Sequence, residues 1–113
     1  MRKVYSLLPM FLVGCAPTCG NDPIHVEISP DKRNVAIAYI RNCGATAGYS
    51  THVSVLRAPG KLPNEEGNIL IINGKHPLDL EWKENTDLVV EGSFGQQKFK
   101  RLSSYRGIEI EYK

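Results

Sequence analysis

Cys43, Ser50 and His52 are the residues here whose types could perform nucleophilic chemistry. A thiol or hydroxyl beside an imidazole is the minimum requirement for acyl transfer. Their spacing argues against that use. Ser50 and His52 have equal parity, so in a strand they merely share a face, and no Gly-x-Ser-x-Gly elbow lifts the serine out of a sheet. The expectation is that Ser50, Thr51 and His52 satisfy the backbone of a loop of small residues, and that the chain is not an enzyme. A degenerate hydrolase or metal-binding protein around Cys43, Ser50 and His52 is the competing reading. His25, His52 and His76 are far apart and lack zinc spacing, and the cysteines form no C-x-x-C pair, so neither a metal nor another cofactor is expected. Three surface histidines are the simpler reading. Gly44 to Gly48 lacks the Lys and Ser/Thr of a phosphate loop, and its glycines read as conformational freedom beside Cys43.

The N-terminus reads as an address. Met1-Arg2-Lys3 is a basic start, and Val4 to Gly14 is a mainly apolar run of eleven residues, too short to span a bilayer but suited to a secretory signal. Leu12-Val13-Gly14-Cys15 resembles the lipobox of bacterial lipoprotein signals. The resemblance implies a signal peptide over 1–14, cleavage after Gly14, and acylation of the Cys15 thiol as the new N-terminus. Two or three acyl chains make such anchoring stable. Ala16 stands where an aspartate often retains Gram-negative lipoproteins on the inner membrane. The implied location is therefore the outer membrane, facing the periplasm.

With Cys15 assigned to lipid, Cys19 and Cys43 remain in an oxidising compartment, and a disulfide between them is the default. The other elements must fit in what is left. The chain has 113 residues, 42% hydrophobic and 23% charged, which allows one domain. No stretch approaches the roughly 20 apolar residues of a spanning helix. The net charge of +2 is too small to argue for nucleic acid, and it falls to zero once Arg2 and Lys3 leave with the signal. Residues 15–23 hold Pro, Thr, Gly, Asn and Asp and read as a lipidated tether, leaving 24–113 as a single β domain.

Within that domain the hydrophobic period is two. His25 to Ile28 alternates, and Ser29-Pro30-Asp31-Lys32 is a turn. Val35, Ile37 and Tyr39 share one face of the next strand and Ala36, Ala38 and Ile40 the other, so both faces are apolar and the strand is central. Asn42 to Ser50 and Ala58 to Gly67 read as loops, and Asn73-Gly74 as a hairpin turn. Leu78, Leu80 and Trp82, then Leu88 to Val90, then Ile108, Ile110 and Tyr112 supply later strands, with Phe99 in a weaker one. Trp82 and Tyr39 are expected in the core. No window has the spacing of an amphipathic helix. The fold class is all-β: a small antiparallel sandwich or curled sheet of about eight short strands.

Two resemblances run through this region. Ser29-Pro30-Asp31-Lys32 followed by Val35-Ala36-Ile37-Ala38, and again Leu80 to Val90 with its Trp82, look like hairpins of a TolB or WD40-like propeller blade. Lys32 replaces the usual glycine, and the chain is too short for four blades. The second resemblance covers Ser29 to Tyr112. Asn42-Cys43-Gly44-Ala45-Thr46-Ala47-Gly48-Tyr49-Ser50-Thr51-His52-Val53-Ser54 is similar to the core of an uncharacterised bacterial lipoprotein family, and Leu62-Pro63-Asn64-Glu65-Glu66-Gly67-Asn68 to its next loop. Asn42 and Ala47 depart from its commoner Asp and Thr. That likeness implies unity of fold and no activity.

The function expected is that of a lipid-anchored envelope protein, a non-enzymatic binding or structural module. Thr46, Tyr49, Ser50 and Thr51 are its possible recognition loop, and an envelope protein or glycan its partner. The alternative is a periplasmic inhibitor of the lysozyme-inhibitor sort, for which the same loop would enter a cleft. Lys98, Lys100, Arg101 and Arg106 form a basic stretch that suits lipid A phosphates or acidic glycans, though a solvated face is the plainer reading. Radiolabelled palmitate should enter the wild-type chain and be absent from Cys15→Ser, whose precursor stays uncut. Equal labelling of both would remove the anchor.

Overall fold

The alternation of Asn34–Asn42 sets the architecture, because this strand is buried on both faces. A computed structural model describes residues 19–44, 48–95 and 98–113. The signal over 1–14, Cys15 and Thr46 lie outside the described residues. Among the described residues nine strands are present: β1 Gly20–Ile28, β2 Asn34–Asn42, β3 Tyr49–Arg57, β4 Leu70–Asn73, β5 Leu78–Glu84, β6 Asp87–Gly92, β7 Lys98–Arg101, β8 Ser104–Tyr105 and β9 Ile108–Tyr112. They form a five-stranded sheet, β1-β2-β3-β4-β7, and a four-stranded sheet, β5-β6-β9-β8.

The all-β sandwich expected from the period-two pattern is therefore present. Ala36 and Ala38 of β2 pair with Val55 and Val53 of β3, and Val53 with Leu70 of β4, so this row faces the second sheet. Leu78, Leu80, Leu88, Val90, Ile108 and Ile110 meet it from the other side. Val35, Ile37 and Tyr39 point outward and form a second apolar cluster, covered by Leu62 of the 58–68 loop.

Three expectations are corrected. The sheets are not wholly antiparallel, since β6 and β9 pair in parallel. After β6 the chain crosses to the first sheet, and β7 carries it back along the molecule. The next long strand must then run in the direction of β6. Gly20–Pro23, expected in the tether, instead open β1 opposite Tyr39–Asn42. The physical cause is the Cys19–Cys43 disulfide, which clamps the two backbones at that point and lets the hydrogen-bond ladder begin immediately. Trp82 is half-buried at the margin of the core, packed against it rather than enclosed, and its Nε1–H donates to the Glu27 carbonyl at 3.0 Å across the gap between the sheets. Val26 and Ile28, opposite Ile37 and Val35, lie on the outer face beyond the loop's reach and stay exposed.

The disulfide spans 24 positions. Closing such a loop in the unfolded chain removes enough entropy to stabilise the fold by about 3 kcal/mol. Reduction, or Cys43→Ala, should lower the unfolding free energy by about 2–5 kcal/mol in denaturant titrations. A free-thiol assay that finds both cysteines reduced in the air-oxidised folded chain would refute the bridge in solution.

Candidate functional site

Alternation places Ser50, His52 and Ser54 in one row on the outer face of β3, with Arg41 and Tyr39 of β2 on one side and Asn73 and Ile71 of β4 on the other. The chemistry-bearing cluster is thus assembled as parity predicts. His52 is not a surface histidine, however. It is 2% exposed, because Gly67 of the 58–68 loop is seated directly on it. A Cβ on Gly67 would lie 2.6 Å from the Leu70 carbonyl oxygen and 2.9 Å from the His52 Cβ, so only glycine allows this approach.

The imidazole's hydrogen bonds decide what it can do. His52 Nδ1 lies 2.8 Å from the Gly67 backbone N–H, a group that can only donate. Nδ1 must therefore be the bare acceptor, and the proton of the neutral ring sits on Nε2. Nε2 lies 2.7 Å from Ser50 Oγ, so its N–H donates to the serine. A general base needs the opposite tautomer, with a bare Nε2 facing the hydroxyl and an acid orienting Nδ1–H. Burial, and then the positive charge of Arg41, hold the His52 pKa down to about 4. The ring stays neutral and stacks on Tyr39 with centroids 5.3 Å apart. Cys43 is in the disulfide and offers no thiolate.

The rest of the row serves the same loop. Tyr39 Oη donates to the Glu65 carbonyl at 3.0 Å, so the proton in its 3.2 Å contact with Ser54 Oγ comes from the serine. Ser54 Oγ in turn accepts the Asn68 N–H at 3.1 Å. Asn68 completes the seam by pairing its side-chain amide with both backbone groups of Val55 at 2.9 Å. Arg41 Nη1 donates to Asn21 Oδ1, Asn64 Oδ1 and the Glu65 carbonyl, and Lys100 Nζ to the Gly67 carbonyl.

Of the expected recognition residues, Thr46 lies outside the described residues and the other three have separate fates. Thr51 is wholly buried, because it faces the interior with Ile40 and Ile72. Its hydroxyl donates to the Gly74 carbonyl at 2.6 Å and accepts the His76 N–H at 3.0 Å, so it ties down the Asn73-Gly74 turn. Ser50 is half-buried against His52. Tyr49 alone is available, 45% exposed, with Lys75 Nζ 4.1 Å from its ring centroid. It shares an open groove of about 340 Å³ with Phe99, itself 59% exposed.

The basic stretch does not form one patch. Lys100 faces the loop, Arg101 lies over the Tyr112 ring at 4.5 Å, and Arg106 sits at the opposite end of the molecule in the β8–β9 turn. Among the described residues no three His, Cys, Asp or Glu side chains converge to hold a metal. His25 Nε2 lies 2.9 Å from Glu27 Oε1, and His76 Nε2–H donates to the Asn73 carbonyl. No protein-family model, curated protein or solved structure matches this chain.

The depressed His52 pKa has a sign. The unfolded chain takes up a proton near pH 6.5 while the folded chain refuses it until about 4, so His52 stabilises the fold above that window. Stability should fall as pH drops from about 6.5 towards 4, with a limiting slope of about 1.4 kcal/mol per pH unit. His52→Asn, which can keep an acceptor for the Gly67 N–H, should be less stable at pH 7 but flatter through that window. An unchanged slope in the variant would place the sensitivity elsewhere.

Proposed function

We propose that this chain is a lipid-anchored protein of the bacterial cell envelope whose β domain is a non-enzymatic binding module. The observation that carries the second half of this reading is the Ser50–His52 tautomer: the residues most suited to catalysis are consumed in holding a loop. The disulfide supports the first half, because such bonds persist in oxidising compartments outside the cytosol. Cys15, the proposed lipid site, precedes Cys19 by four residues, which span at most about 14 Å when fully extended. The disulfide end of the sandwich would then sit against the outer membrane on its periplasmic side. Exposed Tyr49 and Phe99, with Lys75 and Lys98 nearby in the ladder, suit the boundary between headgroups and acyl chains. The opposite end would project towards envelope proteins and glycans.

Two measurements test the halves separately. The wild-type chain should sediment with membranes and need detergent for release, whereas Cys15→Ser should leave by osmotic shock. Purified chain should turn over ester, peptide and peptidoglycan substrates no faster than Ser50→Ala. Activity present in the wild type and lost in a stably folded Ser50→Ala would overturn the non-enzymatic reading.

A further inference from the structure

The end of the sandwich opposite the disulfide holds a cavity of about 260 Å³ between the two sheets. It is about 27 Å away along the nine-residue strands β2 and β3. Arg33 precedes β2, Arg57 ends β3 and Arg106 occupies the β8–β9 turn, and all three line this cavity. Asn34, Thr86 and Tyr105 add neutral polar groups, with Val55 and Ile108 beneath. Three sequence-distant arginines thus meet at one opening.

The guanidinium groups carry no ion pair. Among the described residues no carboxylate lies within 4.0 Å of any of the three and none donates a side-chain hydrogen bond to the protein, and Arg106 alone has a weaker partner, the Tyr105 ring at 5.9 Å. Asp31 is the one acid in the lining. Its Oδ1 is committed to the Ser29 hydroxyl at 2.7 Å and the Arg33 backbone N–H at 3.1 Å. Three positive charges against one negative leave the cavity with a net charge of +2. Like charges gathered at an opening are unfavourable unless an anion joins them.

The backbone adds an independent observation. Arg106 has φ 51° and Gly107 φ 83°, the two left-handed residues of a tight β8–β9 hairpin. Asn or Gly is the natural first residue of such a turn, and a long side chain there is disfavoured by about 1 kcal/mol. The turn carries the disfavoured residue, and its side chain lines the cavity.

We infer that the Arg33–Arg57–Arg106 cavity is a binding site for a multivalent oxyanion of the phosphate class, either free or carried on a sugar. Guanidinium groups match this chemistry, since each presents paired N–H donors to two oxygens of one phosphate. Tyr105 and Thr86 line the same cavity and supply hydroxyls for a sugar borne by the phosphate. The inference stands on the cavity and needs no lipid anchor.

The test is an NMR titration of the chain beginning at Cys15, which contains every described strand, with inorganic phosphate and with glucose 6-phosphate. Sodium chloride holds ionic strength constant. The expected result is saturable shifts confined to amides of residues 31–34, 56–57 and 104–108. Tighter binding of the sugar phosphate assigns the carried form, and equal or weaker binding the free ion. Arg106→Asn relieves the turn while removing the charge, so it should keep or raise the melting temperature and weaken binding about tenfold, the worth of one charge-assisted contact. Arg57→Met should weaken binding similarly without touching the turn. The inference is overturned by an absence of saturation at about 10 mM ligand, where affinity would be too weak to count as a site. Full affinity retained in Arg106→Asn and Arg57→Met overturns it equally.

Discussion

The fold depends on covering the second apolar face of β2. Ala36 and Ala38 are buried by the other sheet, as in any sandwich, but Val35, Ile37 and Tyr39 project from the opposite side of the same strand. Each large apolar side chain left in water forfeits about 1.5–3 kcal/mol. The 58–68 loop supplies the cover through Leu62, and a loop with little apolar surface of its own must be held by polar contacts. His52 accepts the Gly67 N–H, Ser54 the Asn68 N–H, and the Glu65 carbonyl accepts the Tyr39 hydroxyl. These groups are buried or half-buried, where an unpaired donor or acceptor is destabilising by about 1–3 kcal/mol. The network is therefore stabilising only when complete.

This requirement explains what Ser50, His52 and Ser54 do on this strand, where His52 and Ser54 accept loop N–H groups and Ser50 bonds the imidazole. An imidazole whose Nδ1 is filled by a backbone N–H has fixed its own tautomer, and burial keeps it neutral. Arg41 and Lys100 are likewise occupied by loop carbonyls. The face that looks most functional by composition is a fastening for the loop. Three arginines without such duties stand at the other end of the sandwich, and the molecule divides accordingly. One end is closed by the disulfide, and the other gathers arginine side chains around an opening between the sheets.

Local chemistry made much of this legible in the chain itself. Period-two alternation in Val35–Ile40 and Ile108–Tyr112 identifies strands because side chains leave a strand on alternate faces. Asn73-Gly74 and Ser29-Pro30-Asp31-Lys32 mark turns because their backbone preferences are intrinsic. Lys32, in the place where glycine is usual, does adopt the left-handed conformation, with φ 64°. Of the three cysteines, the two expected to pair, Cys19 and Cys43, do so. The shared face of Ser50 and His52 follows from parity alone.

What the chain could not disclose depends on which element covers which. Parity says that His52 and Thr51 face opposite ways, but not that a loop buries the first and the second sheet the second. Gly67 seals His52 from fifteen positions away, and that distance erases any local signal. The parallel pairing of β6 and β9 follows from β7 joining the other sheet, a choice made by the whole topology. Lys98 to Arg106 reads as one basic stretch, yet a hairpin sends Arg106 to meet Arg33 and Arg57. Sequence determined the all-β class, the bridge and the turns, because those follow from neighbouring residues and from cysteine pairing. Tertiary structure decided which polar groups are consumed and which stand free, because long-range packing assigns the partners.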